Sequence, residues 1–322
     1  IAGIASVLGA SFTGNLAVTA TSGPGIALKG EAMGLAVMTE LPMVIINVQR
    51  GGPSTGLPTK TEQSDLVQAL YGRNGEAPLP LIAAATPGDC FYAAYEASRI
   101  ALKYMTPVVL LTDGYLANGS EPWKIPDVDS MESIDVQFVD GVKEGEEFMP
   151  YKRDEDTLSR PWAIPGVPGL EHRVGGLEKA ENTGHVSYDP DNHQRMVELR
   201  QEKVDRIQND IAKTEVFGEE NGDVLILSWG GTYGSCRSAV ETLHDQEKSV
   251  SHVHVRWISP LPKDLGEIII KFKNVLIPEI NMGQLIKIIR SEYLVDAKGL
   301  NQVNGKPISA SRIVEKVNEM VG

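Results

Sequence analysis

The chain has 322 residues, room for about two domains of ordinary size, and its 42% hydrophobic and 23% charged residues are those of a folded globular protein, not a disordered or collagen-like one. Its formal charge is −13, of which residues 121–220 supply −12. No clustered Lys/Arg face offers itself to phosphates, no run of 18 apolar residues could span a bilayer, and the N-terminus lacks the basic-then-apolar order of a signal peptide, so neither nucleic acid nor a membrane is an expected partner. Cys90 and Cys236 stand far apart and outside any CxxC or Cys/His array, so a disulfide framework and a metal site are not expected and a reducing cytoplasm is. The chain opens at Ile1 directly into small apolar residues, which leads us to expect a piece of a longer polypeptide.

Apolar runs alternate with helical patterns from the start. A strand is predicted over 16–21 and a helix over 26–40, then a strand over 43–48 and a helix over about 63–71, a strand over 81–84 and a helix over 90–104 with Asp89 as its N-cap, and a strand over 108–111. The alternation means a parallel sheet, and continuous runs such as MVIINV and PVVLL are those of strands covered on both faces. Residues 121–192 are rich in Pro, Gly and acid without periodicity; they form a connector expected to wrap over a surface or a partner. An amphipathic helix is predicted over 193–213, with Val197, Val204, Ile207 and Ile211 along one face. Alternation resumes over 221–322, with strands at 224–229, 251–255 and 274–277 and helices at 235–246, after Pro262 and at 309–320. The reading is α/β throughout, in two domains, 1–120 and 221–322, joined by the connector and a linker helix over 193–220.

Three turns deserve chemical scrutiny. Thr21-Ser22-Gly23-Pro24-Gly25 follows a strand and opens a helix, where free N–H groups face the strand's carboxyl end; a plain tight turn is the alternative, since no GxGxxG is present. The loop from Gln49 to Lys60 leaves a strand's carboxyl end with Arg50 at its root and a run of Gly, Ser and Thr behind it. A guanidinium there can hold a carboxylate by two parallel N–H···O bonds, unless a local acid already claims it. The turn from Ser228 to Ser235 matches neither a dinucleotide nor a P-loop pattern and reads as structural. His252 and His254 alternate on a strand and read as packing or surface residues, and Cys236, beside a helix start, would have a somewhat lowered pKa.

The strings TATSGPGIALKGEAMGLAV and LPMVIINVQRGGPSTGLPTKTEQSDL, followed in order by GLEH, GHVSYDPDNHQRMVELRQEKVDRI, VLILSWGGTYGS, WISPLP and IPEINMGQL, resemble the α subunit of the thiamine-diphosphate-dependent 2-oxoacid:ferredoxin oxidoreductases of the 2-oxoglutarate type. The resemblance implies a pyrimidine-binding domain with a parallel sheet followed by a transketolase C-terminal-like α/β domain. It further implies that Arg50 binds the 2-oxoacid carboxylate, that Thr59 lines the same pocket, and that Thr21, Ser22, Gly23, Pro24 and Gly25 lie near the cofactor. The implied reaction is oxidative decarboxylation of a 2-oxoacid to acyl-CoA, with coenzyme A as co-substrate and electrons leaving singly through an iron–sulfur cluster to ferredoxin.

The family's Tyr-Pro-Ile-Thr-Pro strand and the glutamate that serves the aminopyrimidine lie upstream of the stretch that matches here, and the GDG…Asn motif for magnesium diphosphate and the cluster cysteines are absent from this sequence. In the family the last two belong to the β subunit. The expectation is thus one subunit of a hetero-oligomer in which thiamine diphosphate and Mg2+ are held mainly by the β subunit and the cluster by a partner chain. The other readings are a pyruvate or branched-chain 2-oxoacid enzyme, a non-catalytic scaffold subunit, and a nucleotide-binding dehydrogenase, the last requiring a GxGxxG fingerprint the chain does not have.

Overall fold

The computed structural model describes residues 1–322. Its ten strands are β1 (Ala17–Thr21), β2 (Met43–Gln49), β3 (Leu81–Ala83), β4 (Pro107–Asp113), β5 (Val216–Phe217), β6 (Gly222–Ser228), β7 (Val250–His254), β8 (Trp257–Ser259), β9 (Phe272–Glu279) and β10 (Lys298–Asn301). They build two five-stranded sheets, ordered β1-β2-β4-β3-β8 and β10-β9-β6-β7-β5. All neighbours are parallel except the edge pairs β3–β8 and β5–β7. β4 is buried at every residue and β2 at all but two, as continuous apolar runs require when helices cover both faces. Helix Asp89–Tyr104 turns Ala93, Ala97, Ile100, Ala101 and Tyr104 inward, the i, i+4, i+7 spacing of one helical stripe, onto Val44, Ile82, Val108 and Leu110 of the first sheet. The other face of that sheet shares a single core with the second half of the chain: Met43, Ile45, Val109 and Leu111 belong to the same cluster as Leu225, Trp229, Val275 and Leu285.

The structure corrects several expected elements. The helix predicted over 26–40 is two helices, Gly23–Leu28 and Gly30–Thr39. They break at Lys29, whose buried ammonium donates to Thr19 Oγ1 on β1 at 2.9 Å. Asp89 is not the N-cap of its helix but its first residue, Gly88 being the cap; its carboxylate instead accepts the Ala85 N–H and pairs with Arg256. The linker helix begins at Pro190, capped by Asp189, whose side chain accepts the Asn192 N–H, and its α-helical part ends at Arg206. Helix Ala2–Phe12, helix Leu285–Tyr293, β8 and β10 are additions to the sequence reading.

The connector wraps over the chain itself. Tyr151 and Trp162 are buried in it, and Arg160 donates through Nε to the carbonyls of Thr39 and Glu40. Glu40 ends helix Gly30–Thr39 in the left-handed region, φ 51°, and its buried carboxylate takes Arg153 from the connector and Lys203 from the linker helix. Burial alone would raise the Glu40 pKa, but Lys203 and Arg153 outweigh it and hold the group at about 2. The acidic stretch before this clamp, residues 121–148, is mostly exposed.

Candidate functional site

β1 and β2 run side by side in register, with Thr21 opposite Asn47, so the turn after β1 and the loop after β2 leave the same edge of the sheet. The segment Ser64-Asp65 joins them. Asp65 lies against Gly23, where a Cβ would stand 3.1 Å from its Oδ2, and its carboxylate accepts from Asn47 Nδ2 at 3.0 Å. Its backbone N–H donates to Gln49 Oε1 at 3.1 Å, and Ser64 Oγ donates to the carbonyl of Arg50 at 3.1 Å. Two stretches that the sequence singled out separately are therefore one constellation, and of the residues that connect them only Gln49 lay within a stretch singled out, whereas Asn47, Ser64 and Asp65 gave no local signal. Each acts on a residue far along the chain.

The Arg50 loop is closed at its base by backbone bonds from Gly51 N–H to the Lys60 carbonyl and from Leu57 N–H to the Gly51 carbonyl, both 2.9 Å. Gly56 sits at φ 44° with the Gly51 carbonyl only 2.2 Å from where a Cβ would be, so no side chain fits there. This closure sets Arg50 and Thr59 on the two stems of one loop. Arg50 forms no ion pair and its guanidinium donates no hydrogen bond within the chain; its Nε is buried and unpartnered. The one carboxylate at the base of the loop, Glu62, accepts the Gly52 N–H and makes no ion pair with Arg50. Thr59 is exposed and its hydroxyl is likewise unbonded.

Thr21, Ser22, Gly23, Pro24 and Gly25 are all half-buried. Ser22 is the N-cap of its helix but makes no side-chain cap bond, and the Thr21 hydroxyl lies over Gly25, 1.8 Å from where a Cβ would be placed. The helix that opens here has six residues, too short for a helix dipole to add to its free N–H groups. What the turn offers is a half-buried backbone with the carboxylate of Asp65 packed against Gly23.

The turn after β6 is structural, as read. Gly231 N–H donates to Asp113 Oδ2 at the end of β4, at 3.1 Å, and a Cβ there would stand 2.3 Å from that oxygen. The first half of the chain occupies the crevice between β6 and β9, where the strand order of the second sheet reverses: Gln63 donates through Nε2 to the Trp229 carbonyl at 2.6 Å and exchanges bonds with the backbone of Ile280. Glu279 beneath accepts from Trp229 Nε1, Asn281 Nδ2 and the Leu285 and Ile286 N–H groups. Ser228 Oγ lies between His252 Nε2 and His254 Nδ1, at 2.7 and 2.8 Å; burial lowers His252 to about 4, so these histidines are neutral packing groups. The Cys236 thiol is not lowered but pushed up to about 12 by burial. No three or more His, Cys, Asp or Glu side chains are placed to hold a metal ion, and no helix is long and apolar enough to cross a membrane.

Residues 1–189 match the family model Pyruvate flavodoxin/ferredoxin oxidoreductase, thiamine diP-binding. The chain is 52% identical over 97% of its length to the 2-oxoglutarate oxidoreductase subunit KorA of Mycobacterium tuberculosis, covering 47% of that protein, and 32% identical over 98% of its length to the 2-oxoglutarate synthase subunit KorA of Archaeoglobus fulgidus, covering 83% of it. It superposes on the 2-oxoglutarate:ferredoxin oxidoreductase of Magnetococcus marinus, solved with 2-oxoglutarate, coenzyme A and succinyl-CoA bound, with a TM-score of 0.93 and 37% identity over all of this chain and 56% of that one. The chain thus spans about half the length of the Mycobacterium and Magnetococcus proteins. Its two parallel-rich α/β sheets and the match over more than half its length together say that the chain belongs to the pyruvate flavodoxin/ferredoxin oxidoreductase, thiamine diphosphate-binding family.

Proposed function

We propose that this chain is part of the α subunit of a 2-oxoacid:ferredoxin oxidoreductase of the 2-oxoglutarate type. Within a complex with a β subunit, it serves the oxidative decarboxylation of 2-oxoglutarate to its acyl-CoA, with electrons passing to ferredoxin. The observation that carries this is the Arg50 guanidinium: a buried Nε without a partner, no ion pair, and a position at the carboxyl edge of β2 in a loop pinned at both ends. A cation left unpaired there is available to a carboxylate, and relatives named for 2-oxoglutarate support that acid as its ligand.

The residues present suit one part of thiamine diphosphate. The half-buried turn from Thr21 to Gly25 and the Asp65 carboxylate against Gly23, which no cation neutralises, fit the organic, cationic end of the cofactor. No group of three or more His, Cys, Asp or Glu side chains stands together for a metal ion here, and we assign the magnesium diphosphate end and the iron–sulfur cluster to a partner chain. When bound, the cofactor supplies the carbanion chemistry of decarboxylation. Arg50 holds the substrate carboxylate in a fixed plane, and Thr59, on the opposite stem, adds a hydroxyl to the same pocket. The two unpaired cysteines suit a reducing compartment, and we assign the chain to the cytoplasm.

The test is Arg50→Ala in the complex reconstituted with its partner subunit. Loss of one charge-assisted, two-pronged contact should lower kcat/KM for 2-oxoglutarate about 100-fold, read as coenzyme A-dependent dye reduction. Arg50→Lys should recover only part of this because the fork geometry is gone. Turnover of Arg50→Ala near that of the unaltered complex overturns the proposal, and a panel of 2-oxoglutarate, pyruvate and branched-chain 2-oxoacids on the unaltered complex decides the substrate.

A further inference from the structure

Four of the five buried carboxylates of this chain have a visible structural occupation. Glu40 is held by two cations. Asp113 accepts from Thr61 Oγ1 and from the N–H groups of Tyr115, Leu116 and Gly231, and Glu279 accepts four bonds of its own. Glu62 takes the Gly52 N–H at 3.3 Å and braces the base of the Arg50 loop. Asp65 is different. It is 8% exposed, no cation stands against it, and its partners are the Asn47 amide at 3.0 Å and the hydroxyl of its own neighbour Ser64 at a long 3.4 Å. Asn47 is itself fully buried, with Oδ1 unpartnered. Burial raises the Asp65 pKa and these two bonds only partly offset it. An ionisable group kept out of water without a counter-charge is a cost to folding.

The direction in which Asp65 faces suggests what offsets that cost. Its two carboxylate oxygens lie 3.1 and 3.2 Å from where Gly23 would carry a Cβ, so the charge rests directly against the Gly23 backbone of the turn, with no side chain between them. We propose that Asp65 is the counter-ion for the positively charged ring of thiamine diphosphate, acting across Gly23, and that it thereby couples cofactor binding to the Arg50 loop through Ser64. The proposal rests on the functional reading above, which sets the cofactor beside this turn. Gly23 is glycine for the same reason: a side chain there would press on the carboxylate and shield it from the ring.

The experiment measures affinity, not turnover. The reconstituted complex, as Asp65 and as Asp65→Asn, is titrated with magnesium thiamine diphosphate and, separately, with the analogue in which carbon replaces the ring nitrogen, so that the same shape carries no positive charge. Asn keeps the size and a hydrogen bond to Asn47 while removing the charge. The expected result is a dissociation constant for thiamine diphosphate about tenfold higher in the variant, the size of one charge contact partly shielded from water, with the neutral analogue unchanged. Equal weakening of both ligands overturns the proposal, because Asp65 would then only shape the turn; so does weakening of neither. A wild-type complex that binds the cofactor with this charge discrimination but turns over no 2-oxoacid would overturn the functional reading and leave this inference supported.

Discussion

The carboxyl edges of the two sheets look alike in sequence and differ in their hydrogen bonding. Each carries a Gly-rich strand-to-helix turn, SGPG after β1 and WGGTYG after β6, and each is where an open α/β sheet collects ligands. In the second sheet the polar groups around the turn are largely used: Gln63 fills the crevice, Glu279 satisfies four donors, and Asp113 reaches over from β4 to the Gly231 N–H, while His254 Nε2, a neutral ring nitrogen at the end of β7, is buried without a partner. In the first sheet the Arg50 guanidinium has no partner, Asn47 Oδ1 has none, and Asp65 has no cation. A glycine turn is therefore not itself a sign of a ligand. The unpaired charged groups beside it are.

Mutation should separate the two edges on the scale of stability. The largest effect should come from Glu279→Ala, which strips an acceptor from a buried indole N–H and from two N–H groups opening helix Leu285–Tyr293; about 3–4 kcal/mol of unfolding free energy should be lost in a urea titration. Next is the acid sensitivity of the Glu40 clamp. Its folded pKa of about 2 lies below the ordinary 4.5, so its contribution is in place above about pH 4.5 and disappears as pH falls toward 2. About 2–3 kcal/mol should vanish over that window, and Glu40→Gln, less stable at neutral pH, should be correspondingly flatter. Gln63→Leu should cost about 2 kcal/mol by leaving the Ile280 N–H unpaired and leaving the Trp229 carbonyl only its bonds from Thr232. The smallest change belongs to Arg50→Ala, whose melting temperature should match that of the parent, with a stability change within about 0.5 kcal/mol. If Arg50→Ala destabilised the protein as Gln63→Leu does, the contrast between the edges would collapse.

Much of this fold is visible in the sequence because buried parallel strands must be short apolar runs: β1, β2, β4, β6 and β9 overlap the predicted strands, with ends shifted by a few residues. What escaped depends on distant partners. The break at Lys29 exists because its ammonium finds Thr19 on another element. Helix Ala2–Phe12 has small and apolar residues on nearly every side, so no stripe marks it. β8 is only three residues long and is defined by pairing with β3, some 176 positions earlier. At the site, Arg50 stood out through its neighbours, a lone cation followed by glycines and hydroxyls, whereas Asp65 sits in the run TEQSDL, where nothing local distinguishes it from a helix-starting acid. Its role comes from Gly23 and Asn47, which only the folded chain brings to it.

β8 carries a last consequence. Residues 257–259 leave the second half of the chain and close the open side of β3, Leu81 facing Ser259 and Ile82 facing Trp257. A polypeptide ended near residue 220 would present β3 with an unpaired row of N–H and C=O groups, an invitation to stick to its own copies. The first half is thus borrowing its edge, and the two halves are better regarded as one folding unit than as beads on a string: supplied as separate chains, they would have to find each other by strand addition before either became well behaved.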